Sequence, residues 1–340
     1  MLPKRFESVE HLEDVMTTPS PALVDDLARA PGDLIVLGVG GKMGPTLART
    51  AKRAAPDRRV VGVARFSEPG LREALERHGV ECIAADLLDR DAVARLPKLP
   101  NVVFMAGRKF GSTGAEHLTW AMNVHVPALV AESFAGSRVV VFSTACVYPF
   151  VPVASGGAAE DLPTTPPPGE YANSCVGRER MFDHFSRRHG TPGRLIRLSY
   201  AIDMRYGVLH DVARKVFARQ PVDVTMGHVN VIWQGDANAQ ALRALAHCTT
   251  PTSALNVSGP EPTSVRALAL AFGKRLGVEP VITGREAADA WLLDTRAAQR
   301  LFGRPEVALE TMLDWTADWV AHGGASLGKA THFEARGGSY

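Results

Sequence analysis

The segment Asp33–Ala54, DLIVLGVGGKMGPTLARTAKRA, runs a continuous apolar stretch into a cluster of glycines and then into a helical pattern. Its order is strand, turn, helix. Gly38, Gly41 and Gly44 recur at a GxxGxxG spacing directly after the strand, with Gly40 adding backbone freedom. That spacing suits a chain that must pass close to a pyrophosphate, because unpaired N–H groups at a helix start favour negative charge. Dinucleotide binding is the expectation.

Working outward, the same alternation continues. A second strand, RRVVGVARF, is followed by a helix from about Gly70 to His78, then VECIAADL, another helix, NVVFMAG, a helix around His117 to Ala135, and RVVVFST. Short runs rich in Val and Ile, separated by helices, predict βαβ units and a parallel sheet covered on both faces. From Gly193 the pattern loosens into GRLIRLSYAI, VDVTM, ALNVSG and EPVIT, with helices near Leu209–Ala218, Gly235–His247 and Val265–Leu276. The expected fold class is α/β, a doubly wound parallel sheet with a smaller C-terminal α/β lobe at its carboxyl edge, where substrates of such folds sit. The expected division is a helical extension over 1–32, beginning its helix at Ser20-Pro21, a dinucleotide domain over 33–192, a lobe over 193–325 with one strand returning to the sheet, and a flexible tail over 326–340. The first ~20 residues and the Gly-rich stretch from His322 read as weakly structured ends.

The chain has 340 residues, 46% of them hydrophobic, and a formal charge of +2. Its basic residues are dispersed, and clusters such as Arg178–Arg180 and Arg187–His189 read as solvated helix faces, which argues against nucleic acid as a partner. No apolar run reaches the roughly 18 residues of a membrane span, and the N-terminus is charged where a secretory signal would be apolar, so a cytoplasmic location is expected. Cys82, Cys146, Cys175 and Cys248 lie far apart without a CxxC pair, so reduced thiols and no metal framework are expected.

The second strand ends in Arg65 where NAD-binding proteins usually place a carboxylate, and an arginine there accommodates a 2′-phosphate. NADP is therefore preferred, with NAD kept open; Lys42, in the glycine loop, offers a second positive group, the alternative being that both are solvated cations. Asp86, after the third strand, is suited to accept from an adenine amino group or to cap the next helix.

Taken together, the glycine loop, AADLLD, VVFMAGRKFG, MNVHVPALV, VVVFSTACVY, LIRLSYAI, LNVSGPEPTSVRALA and LLDTRAAQRLFG resemble, in this order, the extended short-chain dehydrogenase/reductase superfamily, also called the NAD-dependent epimerase/dehydratase family. FMAGRKFGSTG followed by MNV is similar to the corresponding part of UDP-galactose 4-epimerases, where a lysine at the position of Lys109 lies near the cofactor. The resemblance implies a Rossmann-type cofactor domain, a substrate lobe and a homodimer. It implies that Met43, Leu87, Ala106 and Gly107 join Gly38, Gly41, Lys42, Gly44, Arg65, Asp86 and Lys109 around the cofactor. On the substrate side it implies Thr144, Cys146, Tyr200 and Trp233.

The family's catalytic trio is a Ser or Thr, a Tyr, and a Lys four residues after the Tyr. Thr144 and Tyr171 match the first two, Asn123 matches an asparagine on the neighbouring helix, and Glu179 matches an acidic residue beyond the usual lysine. Cys175 stands where the lysine belongs. A free tyrosine has a pKa of about 10, so roughly one molecule in a thousand is ionised at pH 7; the lysine corrects this with a nearby positive charge, and a thiol cannot. Three outcomes are open. Lys109 or Arg108, helped by an oxidised nicotinamide, replaces the charge; the enzyme works mainly as a reductase, for which a neutral phenol is already the right acid; or the protein binds a dinucleotide without turnover, as a regulator or scaffold. Cys175 itself reads as apolar filler in preference to a nucleophile. The lobe has no arginine between Arg219 and Arg243, a region that holds Asn230, so a free sugar, sugar acid or lactone is expected over a nucleotide sugar. Arg205, Arg214 and His210 are read as surface residues, with an anion contact as the alternative. The resulting expectation is an NAD(P)-dependent oxidoreductase or epimerase acting on a carbohydrate-like substrate.

Overall fold

A computed structural model describes residues 2–109, 111, 114–329 and 331–336. Seven parallel strands form the central sheet: β1 (Leu34–Leu37), β2 (Val60–Ala64), β3 (Glu81–Ala84), β4 (Asn101–Phe104), β5 (Arg138–Thr144), β6 (Gly193–Leu198) and β7 (Ser253–Val257). Their order is β7-β6-β5-β4-β1-β2-β3, so the order reverses between β1 and β4 and opens a crevice at their carboxyl ends. The inner strands are apolar without alternation, as both faces are covered: Leu34–Leu37 and Asn101–Phe104 are buried at every position. Both β6 and β7 belong to this sheet, so the lobe begins further along the chain than residue 193 suggests, and two strands return where one was expected.

The helix Gly44–Ala54 begins without a side-chain cap, and Glu170–His189 brings its first turn to the crevice. Between Glu116 and Ser133 the helix widens into a single π turn at Ala121–His125. Pro127, which has no N–H to donate to the carbonyl of residue 123, follows immediately.

Four two-stranded pairs and the helices Val208–Phe217, Val265–Leu276 and Leu309–Ala321 complete the fold beyond the sheet. Both chain ends differ from expectation. Ser8 caps a helix over Val9–Met16, accepting from the His11 N–H at 3.0 Å, and Phe6, Leu12 and Met16 are buried in the lobe's core with Trp233 and Trp315. At the other end, Phe333 enters the same core, Thr331 bonds Asp211 through its backbone N–H at 2.9 Å, and the Arg336 guanidinium lies over the Phe150 ring and pairs with Asp289. The tail expected to be flexible is thus packed where it is described. Charge and glycine content hid this because the anchoring residues are few and widely spaced. All four cysteines are free thiols. Among the described residues no helix is long and apolar enough to cross a membrane, and no group of three His, Cys, Asp or Glu side chains could hold a metal.

Candidate active site

Two adjoining cavities, of about 280 and about 310 Å³, share Gly38, Gly41 and Met105 and make one groove across the carboxyl edge of the sheet. The smaller lies over β2 and β3 and is lined by Arg65, Glu68, Asp86, Leu87, Ala106 and Gly107. The larger faces the lobe and is lined by Lys42, Met43, Gly44, Lys109, Thr144, Cys146, Tyr171, Tyr200, Tyr206 and Trp291, among others.

The glycine loop fits a dinucleotide diphosphate. Gly38 has φ +89°, and a Cβ there would stand 2.5 Å from the Ala106 nitrogen. At Gly44 a Cβ would stand 2.3 Å from the Val39 carbonyl oxygen, so only glycine lets the helix start this close to the strand. A Cβ on Gly41, by contrast, would meet only the Gly38 oxygen at 3.7 Å. The backbone therefore presents an open surface at the uncapped start of the helix, which is what an approaching phosphate needs.

Lys42 departs from its expected place. Its side chain turns away from Arg65 towards the lobe, where Nζ donates to the Ala201 carbonyl at 2.9 Å and sits 4.4 Å from the centre of the Tyr206 ring. It cannot serve a phosphate beside Arg65 from there. Burial lowers its pKa to about 8. Asp86 accepts from the Leu88 N–H at 3.0 Å, while the cap of the next helix, Arg90–Arg95, is Asp89. Asp86 thereby keeps its place in the cavity wall without the capping role.

On the lobe side, Thr144 ends β5, Tyr171 lies in the first turn of Glu170–His189, and Lys109 follows β4. The Tyr171 hydroxyl interacts with the Thr144 hydroxyl and with the Cys175 thiol. Burial, reinforced by the Cys175 and Cys146 thiols, holds the phenol well above its ordinary pKa, and Arg178 and the Thr144 hydroxyl pull the other way. The Lys109 ammonium stands 5.9 Å from the centre of the Tyr171 ring. Burial also lowers the Lys109 pKa.

Cys175 is 0% exposed, in a cluster with Ala145, Val147 and Leu292, and burial pushes its thiol up to about 11. It packs as filler. One turn on, Arg178 is 6% exposed and not on a solvated face. Its guanidinium donates to the Phe142 carbonyl and to Asn123 Oδ1, both at 2.8 Å. The spacing 171, 175, 178 marks one helix face, and that periodicity is the signal that could have identified Arg178 as a second buried cation near the phenol.

Two expected site residues lie elsewhere. Asn123 lines neither cavity; its amide braces the β4 loop to the long helix by accepting from Arg108 N–H (2.8 Å) and donating to Arg108 O and Ser174 Oγ (2.9 Å each). Trp233 is 3% exposed and packs against Phe6 and Trp315, so its ring belongs to the lobe core; Trp291 takes the crevice position, with Nε1 bonded to the Tyr148 carbonyl at 2.9 Å. Asn230 bonds backbone at Gly259 and Leu293. Glu179 pairs with Arg197 at 2.7 Å in the interior and accepts from Ser143 at 2.6 Å. Arg205 is held by Asp203 and Glu13, and His210 is buried, in contrast to the surface position expected of it.

Residues 34–238 match the model of the NAD dependent epimerase/dehydratase family. The chain belongs to this family. Its members are enzymes of the extended short-chain dehydrogenase/reductase type, which use a nicotinamide dinucleotide. Among solved structures, the fold of this family member is similar to MoeE5 in complex with UDP-glucose and NAD (21% identity, 86% of this chain and 99% of that one, TM-score 0.69). It is similar also to the UDP-glucuronic acid 4-epimerase from Bacillus cereus in complex with UDP-glucuronic acid and NAD (19%, 85% and 99%, 0.71). The UDP-glucose 4-epimerase of Thermus thermophilus in complex with NAD is a third (20%, 84% and 98%, 0.69). The comparison with curated proteins returned no match.

Proposed function

We propose that this family member is an NAD(P)-dependent oxidoreductase or epimerase of a sugar-derived alcohol or ketone, with Tyr171 as the proton-transfer group. The observation that carries the proposal is that Tyr171 and Thr144 line one crevice with the glycine loop, with Lys109 over the phenol ring. A bound nicotinamide would supply the hydride acceptor or donor. Thr144 orients the substrate oxygen beside the phenol, and Tyr171, neutral across the ordinary pH range, gives its proton to a developing alkoxide. Lys109 and Arg178 stabilise the phenolate left behind. Water is kept from the phenol by Trp291 and Tyr200, which line the crevice.

The solved relatives carry UDP-sugars, yet the described residues lining the larger, lobe-facing cavity include two lysines and no arginine. A smaller polyhydroxylated substrate suits that wall better than a nucleoside diphosphate, which is normally gripped by bidentate arginine. Arg65 favours NADP, with Glu68 beside it in the same wall as the feature that would favour NAD. A cytoplasmic homodimer completes the proposal. The alternative, a dinucleotide-binding regulator or scaffold, draws on the uncharged Cys175.

The test is a titration of the purified protein with the oxidised and reduced forms of NAD and NADP, followed by a screen of sugars, sugar acids and lactones both for change in nicotinamide absorbance and for conversion to an epimer. Binding of one cofactor with turnover of a panel member supports the enzyme. Cofactor binding without turnover across the panel favours the regulator.

A further inference from the structure

Lys42 stands out among the residues around the crevice. Its side chain is half-buried against the lobe, yet it makes a single hydrogen bond, to the Ala201 carbonyl, and rests on the face of Tyr206. Asp203, the carboxylate that acts on it most strongly, is already engaged by Arg205 through Nη2 at 2.8 Å and is not part of the wall. An ammonium has three donors, and a charge partly withdrawn from water is stabilised when acceptors replace the lost water. Two of its donors therefore lack an acceptor among the described residues, in a wall that carries two cations there, Lys42 and Lys109, and no carboxylate. The other oxygen-bearing side chains of that wall are all hydroxyls, Ser199, Tyr200, Tyr206 and Thr144 among them.

Building on the proposed oxidoreductase, we infer that Lys42 anchors a carboxylate carried by the substrate, which makes the substrate a sugar acid or a related hydroxy or keto acid and excludes a neutral sugar. The anchor is on the lobe side, bound to Ala201 and Tyr206, and on the far side of the glycine loop from Arg65. The carboxylate would accept from the two spare donors, while the carbinol end of the same molecule reaches Thr144 and Tyr171. Lys42 is charged at neutral pH and loses its proton as pH rises through about 8, a value set by burial, with Asp203 raising it and Arg205 and Lys109 lowering it. Binding of the carboxylate accordingly weakens above that pH, and a bound acid holds the proton on.

The experiment is calorimetric titration of the protein, saturated with whichever nicotinamide cofactor it binds, using D-gluconate and D-glucuronate against D-gluconamide and D-glucuronamide at pH 7. At least one acid should bind about 10- to 100-fold tighter than its amide, as one charge-assisted hydrogen-bonded pair implies. In Lys42→Met, which keeps the length of the stem, the preference should vanish through loss of the acid, while amide and reduced-cofactor affinities stay within about threefold. Lys42→Arg should keep much of the preference. Equal binding of acid and amide by the wild type, or a preference that survives in Lys42→Met, overturns the inference. So does a large loss of cofactor affinity in Lys42→Met, which would put the lysine on the cofactor diphosphate. These are equilibrium measurements, so a failure of the proton-transfer proposal would instead appear in turnover and leave them untouched.

Discussion

Removing the charge of Lys109 while keeping its apolar stem, in Lys109→Met, tests how the enzyme manages without a lysine after Tyr171. The ammonium is 5.9 Å from the ring centre. At an effective dielectric constant of about 20, two unit charges at that separation interact by about 3 kcal/mol, or roughly two pKa units. Solvent at the mouth of the half-open crevice screens part of this, leaving about one to two units. The phenolate should therefore become about tenfold to a hundredfold scarcer at a given pH, and kcat/KM should fall by that factor. Because the overall equilibrium is unchanged, the fall at fixed pH is the same for oxidation and reduction. The assay is the initial rate of nicotinamide reduction with the alcohol found in the panel, from pH 6 to 10. In the wild type, log kcat/KM for oxidation should climb across this range, since burial holds the phenol above its ordinary value. It should flatten towards the alkaline end as Lys109, lowered by its own burial, loses its proton. In the variant the profile lies one to two log units lower near neutral pH and, lacking the lysine, keeps climbing where the wild type flattens, so the gap closes towards the alkaline end. An unchanged rate in Lys109→Met, or a wild-type profile already level at pH 7, would refute the reasoning.

Restoring the family lysine should not help. Cys175→Lys forces a long charged side chain into a fully buried site that already faces Arg178, and overpacking with an unpaired charge should cost at least about 2 kcal/mol; a lowered melting temperature without gain in turnover is expected. The native thiol, pushed up to about 11, should also resist alkylation at pH 8 in the folded protein. Gly44→Ala places a methyl 2.3 Å from the Val39 oxygen, which is backbone and cannot swing aside. That variant should lose about 1 to 3 kcal/mol of stability and bind reduced cofactor more weakly, as read by thermal melting and nicotinamide fluorescence.

Legibility in the sequence followed the length scale of the physics. The glycine loop and the apolar strands are local patterns, and they predicted the crevice at the sheet's carboxyl edge, while Thr144, Tyr171 and Lys109 were picked out by the family resemblance and line that crevice together. Cys175 as filler was legible too, since a small apolar side chain on the inner helix face needs no partner. What failed were questions of direction. Trp233 and Trp291 are equally apolar, and the packing of Phe6 and Trp315, both far away in sequence, holds the first in the core while the second lines the crevice. Lys42 reads as a loop cation until Ala201 and Tyr206 draw it to the lobe. Arg178 sits in a run of charges, yet helical spacing sends it inward while Arg180 faces out. The two ends are short segments secured by a few large residues, which no window average detects.

The most direct measurement of the central claim is turnover by Tyr171→Phe on the substrate the wild type uses. Loss of the proton-transfer group should lower kcat by roughly 10²- to 10⁴-fold, with the melting temperature and the affinity for reduced cofactor close to the wild type. Undiminished turnover in that variant would contradict the account.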